Sequence, residues 1–141
     1  FWSTVNIINS SKKILIKSNS SIICISSICG LENIKGAPIP YSVAKSALNS
    51  FVVNQSKFFG NFKVRINAIA PGNIMFNGST WSKKMKKSPS NTKKYINENV
   101  ALKILGKTSD ISNMTLYLAS DEAKYITGAI FKIDGGQLKS W

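Results

Sequence analysis

Tyr41 and Lys45 are separated by Ser42-Val43-Ala44. On a helix this spacing stacks a phenol and an ammonium on one face, with about 6 Å between their Cβ atoms. A free phenol has a pKa of about 10 and is a poor base near neutrality. A neighbouring ammonium favours the phenolate, so the pair can give up or take back a proton. That chemistry suits a carbonyl that receives a hydride and needs a proton, or an alcohol that loses both. Tyr-x-x-x-Lys alone is common on helix surfaces, so its meaning depends on what else reaches it. Two other segments are placed to do so. Ser27 lies fourteen residues upstream at the end of an apolar run, where its hydroxyl can bond a reacting oxygen and hold it against Tyr41. Downstream, Pro71-Gly72-Asn73-Ile74 stops a second apolar run.

The elements that must carry these residues follow from the pattern. Ser20 to Ser27 is a short β-branched, apolar run of the kind buried on both faces of a sheet. Val64 to Ala70 and Ala129 to Ile133 are two more, the last stopped by Asp134-Gly135-Gly136, which is turn chemistry. Between them, apolar residues recur at three and four from Tyr41 to about Phe59, after Pro38 and Pro40 and before Gly60. A second helix is predicted to Ala119, with Ser109 or Asp110 as its N-cap. Strands alternating with helices imply right-handed crossovers and a parallel sheet. Ligands collect at the C-terminal ends of such strands, where Ser27 and Pro71 stand. Alternation along the first strand sends Ser26 to the face opposite Ser27, as a structural residue.

The stretch from Asn73 to Lys107 is polar and broken by Pro89, with Lys83, Lys84, Lys86, Lys87, Lys93 and Lys94. Only Tyr95 to Leu105 reads as helical. It is far longer than an ordinary connection of about 4–6 residues and reads as a substrate loop or lid. The lysines read as a solvated face. Phe76, Trp81 and Met85 are its candidates for lining a pocket or for packing on the domain.

Composition bounds the rest. The 141 residues, 43% of them hydrophobic, make one ordinary domain. The chain has no His, which excludes a His-based triad and a His-liganded zinc. Cys24 and Cys29 match no metal or redox spacing and read as core residues in a reducing compartment. No metal site is expected. The net charge of +13 rests on lysines, with Arg65 the one arginine. Readers of nucleic acid rely on arginine forks, so the charge is read as compositional and no specific nucleic-acid partner is expected. No run approaches the roughly 18 apolar residues of a membrane span, so neither membrane association nor an address other than the cytoplasm is expected.

These segments resemble the short-chain dehydrogenases/reductases. The motifs are Ile25-Ser26-Ser27-Ile28-Cys29-Gly30, Tyr41-Ser42-Val43-Ala44-Lys45 and Arg65 through Ile74, then Leu118 through Gly128 and Asp134-Gly135-Gly136, in the family's order over about 115 residues. The resemblance implies an α/β, Rossmann-like, doubly wound parallel sheet. It implies NAD or NADP as cofactor, a small carbonyl or alcohol substrate and a homo-oligomer. It gives Tyr41, Lys45 and Ser27 catalytic roles, with Tyr41, Lys45, Pro71, Gly72 and Ile74 toward the cofactor and Lys45 bonding the nicotinamide ribose. Relative to Gly30, Ser27 rather than Ser26 holds the family's serine position. The family's Gly-rich strand, turn and helix for the pyrophosphate are absent, and the chain begins with Phe rather than Met. Residues 1–141 therefore match the C-terminal catalytic part of a single domain. Asn6 and Asn9 are candidates for a fourth active-site member, but both stand too near Ser27, and ordinary polar residues in a frayed start are expected there. The other reading of the chain is a truncated, non-catalytic remnant that only associates with other chains.

Overall fold

The computed structural model describes residues 1–139. Its centre is a three-stranded parallel sheet in the order β1-β2-β5, formed by Ser21–Ile25, Arg65–Pro71 and Ile130–Ile133. Ile22 pairs with Ile66 and Ala68 with Ile130, so the three predicted strands are neighbours in register. Helix α1 (Trp2–Lys17) and helix α2 (Ile39–Gly60) cover one face, where Ile8, Cys24, Leu48, Val52, Phe59, Ile66 and Ala68 form a core. Helix α5 (Thr108–Ala119) covers the other, against Ile23, Ile69, Phe131 and Ile133. A sheet sandwiched by helices is what its uniformly apolar strands require.

Two polar side chains of β2 tie the layers together. Asn67 is fully buried; its Nδ2 donates to the Ile126 carbonyl at 2.9 Å and its Oδ1 accepts the Ala129 N–H at 3.0 Å. The guanidinium of Arg65 donates to the carbonyls of Leu118 at 2.7 Å and Ser120 at 3.0 Å. These are orphan carbonyls at the C-terminal end of α5, where positive charge is favoured.

Three expectations need correction. The start of the chain is not frayed, because Val5, Ile8, Leu15 and Ile16 recur at helical spacing and turn inward while Asn6, Asn9 and Lys13 face solvent. Residues 73–107 hold two helices, α3 (Thr80–Lys87) and α4 (Pro89–Asn99). Ser79 caps the first, its Oγ accepting the Ser82 N–H at 3.0 Å. Pro89, read as a break, opens the second at a first-turn position where its missing N–H costs nothing. Helix α4 ends at Asn99 rather than running to Leu105, because Leu102 N–H is drawn to the Gly135 carbonyl at 3.0 Å. Finally, α5 begins after Lys107, and Asp110 sits inside its first turn, accepting the Lys107 N–H at 2.7 Å. The two short strands β3 (Ile74–Met75) and β4 (Gly106–Lys107) pair in parallel and close the inserted segment at its base.

Candidate active site

At the C-terminal ends of β1 and β2 the chain leaves a cavity of about 650 Å³. Ile25, Ser26 and Ser27 border it from the first strand, Tyr41 and Lys45 from the first turns of α2, and Pro71, Gly72 and Ile74 from the end of the second strand. The structure thus brings Ser27, Tyr41, Lys45, Pro71, Gly72 and Ile74 around one space, although nearly fifty residues separate the first from the last.

Each side chain has a local reason for its place. Pro38 and Pro40 set the entry of α2, so Tyr41 stands in its first turn, 44% exposed. One turn on, Lys45 reaches back across the strand end; its Nζ donates to the Ile25 carbonyl at 2.8 Å and lies 5.7 Å from the centroid of the Tyr41 ring. Burial holds the Lys45 ammonium below its ordinary pKa, and the Cys24 thiol beneath it pulls the other way. The Cys24 thiol is itself pushed up to about 11 by burial, against the pull of Lys45.

Ser27 is buried, with extended backbone, and caps the 3₁₀ turn Ile28–Gly30; its Oγ accepts the Cys29 N–H at 3.2 Å. A hydroxyl that accepts there still has its own hydrogen to donate. Because β1 stops at Ile25, strand alternation does not separate Ser26 from Ser27, and both border the cavity. They differ in engagement. The Ser26 hydroxyl points to the Lys45 carbonyl at 3.5 Å and its N–H donates to Ile69 at 2.7 Å, which ties it to the frame.

Gly72 approaches the last strand too closely for a side chain. A Cβ there would lie 2.8 Å from the Asp134 Cα, and its N–H donates to the Ile133 carbonyl at 2.9 Å. Asp134 braces the turn, accepting Gly136 N–H at 2.9 Å and Leu138 N–H at 3.0 Å.

Other candidates fare differently. Asn6 and Asn9 are exposed on α1 and do not border the cavity. Phe76 borders it, whereas Trp81 packs on Tyr95, ring centroids 5.3 Å apart, and Met85 lies elsewhere on α3. The sequence reading missed Thr108, Ile111, Ser112, Thr115 and Leu116, which wall the cavity from α5. Thr108, Ser112 and Thr115 repeat at four and three, a hydroxyl-bearing stripe beside the apolar one and the signal that marks them. Among the described residues no cluster of His, Cys, Asp or Glu could hold a metal, and no helix is long and apolar enough to cross a membrane.

Known proteins resemble this chain in sequence and in fold. A family model described as enoyl-(acyl carrier protein) reductase matches residues 1–137. The chain is 32% identical over 136 residues to isoepoxydon dehydrogenase of Penicillium expansum, covering 94% of this chain and 51% of that protein. It is 37% identical over 123 residues to the 3-oxoacyl-[acyl-carrier-protein] reductase of Chlamydia trachomatis, covering 86% and 47%. A solved 4-hydroxyisoleucine dehydrogenase mutant, complexed with NADH and succinate, superposes with a TM-score of 0.85 at 28% identity, over 99% of this chain and 56% of that one. The chain spans about half the length of the curated relatives it matches.

Proposed function

Because the chain belongs to the short-chain dehydrogenase/reductase family, we propose that it is the catalytic half of a nicotinamide-dependent oxidoreductase that interconverts a carbonyl and an alcohol. The observation that carries this reading is the cavity at the strand ends, bordered by Ser27, Tyr41 and Lys45.

The residues present fit the nicotinamide-ribose end of such a cofactor. The cavity volume of about 650 Å³ leaves room for it, Lys45 and Tyr41 offer donors for ribose hydroxyls, and bare Gly72 keeps the second strand end low. Pro71 and Ile74 would border the ring. The adenine and pyrophosphate end belongs to a Gly-rich turn that these residues do not contain. NADH is bound in the solved 4-hydroxyisoleucine dehydrogenase, and either NAD or NADP suits the half of the site built here. When bound, the cofactor supplies or receives a hydride at the substrate carbon.

This chain's own residues handle the oxygen. Tyr41 gives its phenolic proton to the developing alkoxide in reduction and takes it back in oxidation. Ser27, already accepting from Cys29, donates its hydroxyl hydrogen to the same oxygen and fixes it against Tyr41. Lys45, moored on the Ile25 carbonyl, keeps positive charge beside the phenol. Phe76 and the α5 stripe form the substrate side, and residues 73–107, which bring Ile74 and Phe76 to the cavity, act as the lid that selects the substrate.

A chimera carrying the N-terminal half of a curated relative ahead of Phe1 tests the proposal. Oxidation of NADH or NADPH is followed with small ketones and 3-oxoacyl thioesters. Turnover that drops by roughly 10² to 10⁴ in Tyr41→Phe, with cofactor still bound, is the expected result. Normal turnover in Tyr41→Phe overturns it.

A further inference from the structure

The serine and the tyrosine–lysine pair sit on different elements, so something must hold those elements in register. Ser27 is carried by the 3₁₀ turn that follows β1, and Tyr41 and Lys45 are carried by α2. The turn closes on itself through the Gly30 N–H, which donates to the Ser27 carbonyl at 3.0 Å. The next group along, the Gly30 carbonyl, accepts two bonds from α2. The Ser46 hydroxyl donates at 2.9 Å and the Asn49 Nδ2 at 3.1 Å, from positions three apart on one face of the helix. Both acceptor lone pairs are then in use.

Gly30 lies so close to α2 that a Cβ would stand 2.6 Å from the Lys45 carbonyl carbon. The absent side chain lets the turn seat directly on the backbone of the lysine. Asn49 is only 7% exposed, and its Oδ1 has no hydrogen-bond partner among the described residues. A buried amide that leaves one polar atom unpaired carries a cost. A leucine of similar shape would avoid that cost, so stability does not explain the amide at position 49.

We infer that Ser46 and Asn49 are positioning residues, whose joint grip on the Gly30 carbonyl sets the Ser27 hydroxyl relative to Tyr41 and Lys45. This rests on the catalytic roles proposed above for Ser27 and Tyr41. Neither Ser46 nor Asn49 borders the cavity, so their effect passes through the turn.

The test is a double-mutant cycle in the same chimera. Ser46→Ala with Asn49→Leu removes both donors while nearly conserving volume. Turnover is expected to fall about tenfold, on the scale of a small misplacement of a reacting group, with the KM for the cofactor and the acid limb of the pH profile unchanged. Ser27→Ala, costly in the parent, is expected to cost at least fivefold less in this background, because a misplaced hydroxyl has less to lose. Ser46→Thr, which keeps the hydroxyl, restores turnover when Asn49 is intact. If the double change lowers the yield of folded protein, Ser46→Ala alone carries the same cycle. An equal cost of Ser27→Ala in both backgrounds, or a raised cofactor KM, overturns the clasp and leaves the catalytic reading standing. A parent whose Ser27→Ala variant turns over normally overturns both.

Discussion

Ser26 and Ser27 carry the same hydroxyl one residue apart at the rim of one cavity, and their hydrogen bonds give them different work. Ser27 accepts from a backbone N–H and keeps a hydrogen to donate, while Ser26 is spent on the frame. Ser27→Ala should therefore reduce turnover of the chimera far more than Ser26→Ala, and steady-state rates with saturating cofactor check it. The reverse order would put the reacting oxygen at Ser26. Lys45→Ala should lose cofactor affinity and turnover together, as titration and rates on one preparation would show. Beneath Lys45, Cys24 makes a separate pH prediction. Its thiol ionises near 9.0 when free and near 11 in the fold. As pH rises from about 9 to 11 the unfolded chain releases a proton that the folded chain keeps, so this contribution to stability is lost across that window. The depressed Lys45 acts with the opposite sign, since the folded chain releases its proton first as pH climbs toward 10.5. Urea midpoints should fall less steeply above pH 9 in Cys24→Ala than in the parent, and equal slopes would contradict the assignment.

Elements meet where glycines allow it. Gly30 seats the serine-bearing turn on α2, and Gly72 seats the end of β2 on the turn after β5. Alanine at either position forces backbone apart, an overpacking cost of about 1–3 kcal/mol. Gly60, the last residue of α2, has open space within 4 Å of where a methyl group would stand, and its backbone is ordinary helix. Gly60→Ala should instead be neutral or stabilise by up to about 1 kcal/mol through the unfolded chain. Denaturant titrations of the three variants discriminate these outcomes. The serine, tyrosine and strand-end elements were legible because each is locally consistent, with β-branched runs, prolines before a helix and a Pro-Gly stop. Helices α3 and α4 were not, since they are lysine-rich and weakly apolar, and what ends α4 is a backbone bond to Gly135, remote in the chain.

For the molecule as a whole, β1 and β5 are the outer strands of the sheet, and among the described residues β1 has a strand on one side only. Such an edge is a template for further pairing. Trp2, Ile7 and Ile14 on α1 and Val43 and Val53 on α2 add exposed apolar surface nearby. Residues 1–141 expressed alone should therefore associate or aggregate, as light scattering and sedimentation at micromolar concentration would report. A soluble monomer that unfolds cooperatively would contradict this. The charge of +13 makes a different prediction. Polyanion binding should be weak, indifferent to sequence and lost steeply with added salt, and a sequence-preferring complex at physiological salt would overturn the compositional reading.

Local sequence determined the three strands, the α2 helix and the places of Ser27, Tyr41, Lys45, Pro71, Gly72 and Ile74 at strand ends and a helix start, because apolar periodicity and turn residues act over a few positions. What tertiary structure alone decided was how these meet. The end of β1 at Ile25 put both serines at the rim, and the amphipathic face of α1 found its core only once α2 and the sheet were there to bury it. The hydroxyl stripe of α5 became a cavity wall, and the grip of Ser46 and Asn49 on Gly30 appeared, only when the chain folded back on itself. Packing and hydrogen bonds between distant residues depend on three-dimensional distance, which spacing along the chain does not encode.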